Sequence, residues 1–305
     1  MTPISYVTKA TFSSLTLLML SGCADAADPP AVKSLVAAIE KLKPLHTPLG
    51  ELQPGDWLAE HKEEGQTFRQ YLKSKPVTPR GKRNVIYIQP LGEFTATQKK
   101  LVDETAAYLA IYFSREVKQL EPLALDVIPA KARRKHPRWG MDQILTTHVL
   151  YEVLKPKLPA DAAAAIALTT SDLWPGEGWN FVFGQASLSD RVGVWSLYRN
   201  GEPDESDDEY RLCLRRTLKT ASHELGHMFS LQHCTAYECN MCGSNNREES
   251  DRRPLAECPE CMAKICWATE TEPGPRYEKL HAFCRRHGLG EDAATYAKLA
   301  DALNK

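Results

Sequence analysis

The chain has 305 residues, 43% of them hydrophobic and 25% charged, with a formal net charge of -1. That length holds one large domain or two small ones of ordinary globular composition. Nothing in this near-neutral balance points to a polyanion such as nucleic acid, and no nucleic-acid partner is expected. Eight of the nine cysteines fall between Cys213 and Cys284, which argues for a local metal site or staple rather than a disulfide framework spread over the fold.

The first segment reads as an address. An apolar run from Leu15 to Leu20 follows Lys9 and precedes small residues; it is far shorter than the roughly 20 apolar residues of a membrane-spanning helix. Residues 1–22 therefore read as a secretory signal peptide. Leu20-Ser21-Gly22-Cys23 resembles the bacterial lipoprotein cleavage box, which would make Cys23 a lipidated first residue. The expected location is the cell envelope, facing the periplasm from the outer membrane, with the lipid as the only membrane contact. An ordinary signal cut near Ala24 or Ala27 is the alternative.

Residues 23–82 read as a tether and N-terminal extension without a chemical motif; Ala31 to Leu42 has helical spacing, through Val32, Leu35, Ile39 and Leu42. A domain over 83–305 begins at NVIYIQPLG, a β-branched and aromatic run ended by Pro90 and Gly92. Helical periodicity over Thr97 to Leu120, a strand at LALDVIP and a helix over Met141 to Leu154 follow. AAIALTTSDL, WNFVFGQA and VGVWSLYR read as strands. The acidic run Glu202 to Arg211 reads as a solvated loop. Strands alternating with helices predict an α/β or α+β layer fold around a mixed sheet.

Leu212 to Leu231 is predicted as a helix, and it contains His-Glu-x-x-His at His223, Glu224 and His227. Residues four apart lie about 40° apart around a helix, so both imidazoles can reach one ion, with Glu224 beside them to take a proton. His233 falls where a third ligand must come if the chain turns out of the helix. Three histidines leave the fourth position of a tetrahedral zinc open, the arrangement of a catalytic site. The metzincin pattern has glycine where this chain has Ser230, and a positive φ there strains a serine by about 1–2 kcal/mol.

Spacing gives one reading of the following cysteines and compartment another. Cys239-x-x-Cys242 and Cys258-x-x-Cys261 form a zinc-ribbon pattern, while an oxidising compartment would favour disulfides. Cys213, Cys266 and Cys284 are left over. The order of third histidine, Cys234, Cys239, Met241 and Cys-x-x-Cys, with IYIQPLG, LTTSDLW, NFVFGQA and RYEKLHAF, closely resembles the archaemetzincin family from about Asn84 to Leu289. The resemblance implies a metzincin-like catalytic domain with a mixed, mostly parallel sheet, an active-site helix and a methionine turn at Met241. It also implies two zinc ions per chain. His223, His227 and His233 would hold the catalytic one, and Cys234, Cys239, Cys258 and Cys261 a structural one, with Cys234 replacing the Cys242 of the spacing reading.

The expected function is peptide-bond hydrolysis by Glu224-assisted attack of zinc-bound water, by a monomer acting on peptides or proteins. NFVFGQAS is a candidate edge strand for pairing an extended substrate. Trp174, Trp179 and Trp195 are candidate cleft residues, with the core as the alternative. A zinc hydrolase of non-peptide amides and a zinc-stabilised scaffold without turnover are the competing readings; a general base at Glu224 has no purpose in a scaffold.

Overall fold

The computed structural model describes residues 28–187 and 189–305; the signal segment and Cys23 lie outside the described residues. Three helices come first: α1 (Pro30–Leu42), the single turn α2 (Trp57–Glu60) and α3 (Phe68–Lys73). α1 buries Val32, Leu35, Ala38, Ile39 and Leu42, the stripe of an amphipathic helix. With Phe68 and Tyr71 of α3, these side chains join the same hydrophobic core as the C-terminal helices. The N-terminal extension is thus packed into the body of the protein.

β1 (Val85–Leu91) is buried along its whole length, as a central parallel strand covered on both faces must be. α4 (Ala96–Tyr112) starts from a capping box between Thr95 and Gln98. It ends earlier than its periodicity predicts, because Ser114 turns to φ +48, and Glu116–Gln119 instead forms β2, parallel to β1. LALDVIP is not a strand. It makes one bridge, Leu123 to Leu91, before a 3-10 turn at Leu125–Val127. Proline at 122 and 129 brackets this stretch and removes ladder donors at both ends.

β3 (Arg133–Lys135) and β4 (Asp142–Leu145) pair antiparallel, so the predicted helix at Met141 begins as a strand. Its helical part is α5 (Thr146–His148), continued as a π-helix over Val149–Leu154. β5 (Ala162–Thr169) and β6 (Asp172–Trp174) divide AAIALTTSDL between two sheets. Only Gly184–Ala186 of WNFVFGQA forms a strand, β7, and VGVWSLYR supplies β8 (Val192–Ser196). The five-stranded sheet runs β2-β1-β5-β8-β7, with four parallel strands and β7 antiparallel at one edge. A smaller sheet runs β3-β4-β6. The predicted mixed, mostly parallel sheet is present.

Five helices complete the chain: α6 (Asp207–Met228), α7 (Arg247–Arg252), α8 (Pro259–Thr269), α9 (Pro273–Arg286) and α10 (Gly290–Asn304). The acidic run is not all loop: Asp207, Asp208 and Glu209 form the first turn of α6, where negative charge favours the helix dipole. Side chains from α1, α4, α6, α8, α9 and α10 pack with Ile86, Ile88, Ile166 and Trp195 in one core. Val192, Val194 and Ala167 pack in a second with the π-helix. Trp195 belongs to the core at 1% exposure, whereas Trp179 is 52% exposed. Among the described residues no helix is long and apolar enough to cross a membrane.

Candidate metal centre

α6 is held at both ends. Ser206 Oγ accepts from the Glu209 N–H at 3.1 Å, and Leu214, Leu218, Ala221, Leu225 and Met228 are buried along its inner face. At the other end Ser230 takes φ +66. The Ser230 N–H donates to His227 O at 2.9 Å and the Leu231 N–H to Gly226 O at 3.1 Å, the paired closure of a Schellman turn. The conformation that suits glycine is therefore adopted by serine, whose Oγ accepts from the Val77 N–H at 3.0 Å. That reversal brings His233 back to His223 and His227.

The three ring centroids lie 4.6, 4.8 and 5.3 Å apart, and one ring nitrogen of each lies within 4.8 Å of the others. Every Nδ1 is occupied. His223 donates to Asn240 O at 2.8 Å, His227 to Leu231 O at 2.7 Å, and His233 to both oxygens of Glu63 at 3.0 and 2.9 Å. Carbonyls only accept, so Nδ1 of His223 and of His227 carries the proton and leaves Nε2 as the ligand nitrogen; the Glu63 carboxylate is likewise an acceptor for Nδ1 of His233. The Nε2 atoms of His223 and His227 stand 3.0 Å apart. Burial holds the His223 imidazole well below its ordinary value and His227 down to about 4, so no proton bridges them near neutrality. A cation fits there, since ligands of a tetrahedral zinc lie about 3.4 Å from one another.

Glu224 stands beside this cluster, its carboxyl pushed up to about 7 by burial alone. A Cβ at Gly184 would sit 3.2 Å from Glu224 Cγ and 2.9 Å from Trp195 Cβ, so the backbone of edge strand β7 lies directly on the glutamate. Gly184 and Glu224, together with Trp57, Trp179, Phe181 and His233, line a cleft of ≈ 610 Å³. Met241 is fully buried, with Sδ 2.8 Å from where a Gly226 Cβ would stand.

A second cluster begins one residue after His233. Cys234, Cys239, Cys258 and Cys261 are buried with sulfurs within 4.8 Å of one another, and the Sγ atoms of Cys234 and Cys258 lie 3.6 Å apart. Four thiolates around one zinc lie about 3.8 Å apart. Burial pushes the Cys239 thiol well up, so a cation is what would allow several of these sulfurs to ionise together. Cys242 stands outside the group and donates to Tyr237 O at 3.2 Å. All eight cysteines from Cys213 to Cys284 are free thiols, including Cys213, Cys266 and Cys284. The two clusters share a loop: Cys239 is followed by Asn240, whose carbonyl holds His223, and the Cys234 N–H donates to Met241 O at 2.8 Å.

The sequence profile of Peptidase family M54 matches residues 157–266. Over 283 residues the chain is 34% identical to Archaemetzincin-2 of Rattus norvegicus, covering 82% of this chain and 78% of that protein. The chain belongs to the archaemetzincin family. Archaemetzincin-2 of Homo sapiens is 35% identical over 275 residues, covering 80% of this chain and 76% of that one. Among solved structures, the archaemetzincin of Archaeoglobus fulgidus, crystallised with malonate, is 32% identical. It has a TM-score of 0.47 over 59% of this chain and 99% of the other.

Sequence reasoning about this archaemetzincin missed three partners of the histidines. Asn240 and Leu231 act through backbone carbonyls, which no residue type announces. Glu63 lies 170 positions before His233, in a stretch with no motif. The hydrogen-bonding requirement of a ligand histidine signals that some acceptor must exist but not where it sits.

Proposed function

We propose that this zinc metallopeptidase of the archaemetzincin family cleaves peptide bonds in the cleft under β7, with Glu224 handling the proton. His223, His227 and His233 would hold the catalytic zinc, and the four buried cysteines a second, structural one. Bound at the histidines, zinc supplies Lewis acidity, which polarises a carbonyl and makes a water acidic enough to react near neutral pH. The residues of the chain do the rest. Glu224, in the same cleft as the imidazoles, is placed to accept a proton from water and return it to a leaving amine. The carbonyls of Asn240 and Leu231 fix the ring planes of His223 and His227, and Met241 fills the space beneath Gly226 as the methionine of the metzincin turn.

The observation that carries this reading is the Glu224 carboxyl in one cleft with three convergent imidazoles. A structural zinc site needs no proton carrier, which disfavours a scaffold. The position of β7 at the sheet edge among the described residues, beside Glu224, favours an extended peptide, which adds to a sheet edge through its backbone, over other amides. Zinc-loaded wild type should cut unstructured peptides and zinc-loaded Glu224→Gln should not; equal cleavage by the two would refute the mechanism.

Envelope location rests on the Leu20–Cys23 sequence alone, and the lipid anchor is proposed with it, as are a monomeric state and two zinc ions per chain. Cys23→Ala should shift the chain from the membrane fraction to the soluble fraction, and unchanged partitioning would rule the anchor out.

A further inference from the structure

We propose that Glu63, from the N-terminal extension, is a positioning residue for the catalytic zinc: its carboxylate orients His233 and strengthens it as a ligand. The inference rests on the reading of the three histidines as the zinc site. His223 and His227 sit on a rigid helix and use backbone carbonyls of their own neighbourhood. His233 lies beyond the turn, in a segment without regular structure, and its Nδ1 partner comes from a distant part of the chain. Both oxygens of Glu63 lie within hydrogen-bond distance of that nitrogen, at 3.0 and 2.9 Å.

The carboxylate is itself held. Trp57 Nε1 donates to Glu63 Oε1 at 2.9 Å, and the Trp57 ring packs edge-on against His233 with centroids 5.3 Å apart. Trp57 is seated in turn: its backbone N–H donates to both oxygens of Glu249 at 3.0 and 3.1 Å, and its indole occupies the space a side chain at Gly243 would need. Further along, Gln66 reaches the turn after α6 from both sides, accepting from the Gln232 N–H at 3.3 Å and donating to Ser230 O at 3.4 Å. The strap from Trp57 to Gln66 thus follows the stretch that carries the third histidine. A surface ion pair would need none of this scaffolding, and the Glu63 side chain is only 29% exposed.

The chemistry follows from the proton on Nδ1. A carboxylate accepting that hydrogen locks the tautomer that leaves Nε2 free, stops the ring from turning and makes Nε2 more basic; loss of such a partner typically lowers metal affinity 10- to 100-fold. The extension would then complete the active site rather than block it.

The test uses the full chain and competes zinc against a chromophoric chelator, with cobalt substitution as a spectroscopic readout that separates a three-histidine site from a four-thiolate one. Glu63→Gln should weaken zinc at the histidine site by 10- to 100-fold and alter its cobalt bands, while the thiolate site keeps wild-type affinity and charge-transfer bands. Trp57→Phe should shift the histidine site in the same direction by less. Wild-type affinity and cobalt bands at the histidine site in Glu63→Gln would overturn the proposal. If that variant does not fold, an unshifted Trp57→Phe overturns it equally. The underlying reading fails separately, if His233→Ala binds as much zinc as wild type.

Discussion

The Nε2 atoms of His223 and His227 face each other across 3.0 Å while their Nδ1 atoms are committed to the carbonyls of Asn240 and Leu231. Two lone pairs fixed that close repel each other, and a cation between them turns the repulsion into attraction. Zinc should therefore stabilise the fold, by about 4 kcal/mol at a free concentration one thousand times its dissociation constant. Scanning calorimetry with and without zinc checks this. Zinc analysis should find two ions per chain in wild type and one in His233→Ala.

The Glu224 carboxyl makes the zinc-free chain sensitive to pH. Its ordinary value is 4.5 and burial raises it to about 7, so the folded state keeps a proton that the unfolded state has released. The stability tied to that proton is complete below 4.5 and is lost as pH rises through 7, about 3 kcal/mol in all. Glutamine stays neutral throughout. In denaturant titrations of zinc-free protein, Glu224→Gln should gain on wild type between pH 5.5 and 8, and parallel curves would contradict the buried carboxyl.

Cys258 and Cys242 should behave oppositely. Cys258 immediately precedes α8 and lies among four clustered sulfurs, whereas Cys242 lies outside that group. Cys258→Ser should lose one zinc and several kcal/mol of stability, because a structural zinc contributes its binding energy to folding. Cys242→Ala should keep both ions. Metal analysis with thermal denaturation separates the two.

Ser230 combines an unfavourable backbone with a useful hydroxyl. Its φ of +66 costs about 1–2 kcal/mol, and its bond to the Val77 N–H returns about 1 kcal/mol. Ser230→Gly removes both, so its stability should stay within about 1 kcal/mol of wild type. Ser230→Ala keeps the strain and loses the bond, and should be less stable by about 1 kcal/mol. Urea titration measures both differences.

Much of the site was legible because its signals are local. The spacing of His223, Glu224 and His227 needs only the period of a helix, and the hydrophobic runs of β1, β5 and β8 need only burial on both faces. The same local reasoning failed where the neighbours decide. LALDVIP has strand-forming side chains, but β2 already occupies that edge of β1, so only Leu123 pairs. Asp207 to Glu209 looked like solvated charge until Ser206 capped them as a helix start.

What the sequence determined by itself is the His223, Glu224 and His227 motif and the helix that presents it, since side-chain chemistry and a 3.6-residue period are properties of a short segment. Only the tertiary structure decided which cysteine stands outside the sulfur cluster, how β7 comes to lie on Glu224, and that Glu63 reaches His233 from 170 residues away. Those contacts join segments distant along the chain. Their free energy is gained only once the core has closed, so no local pattern has to record them.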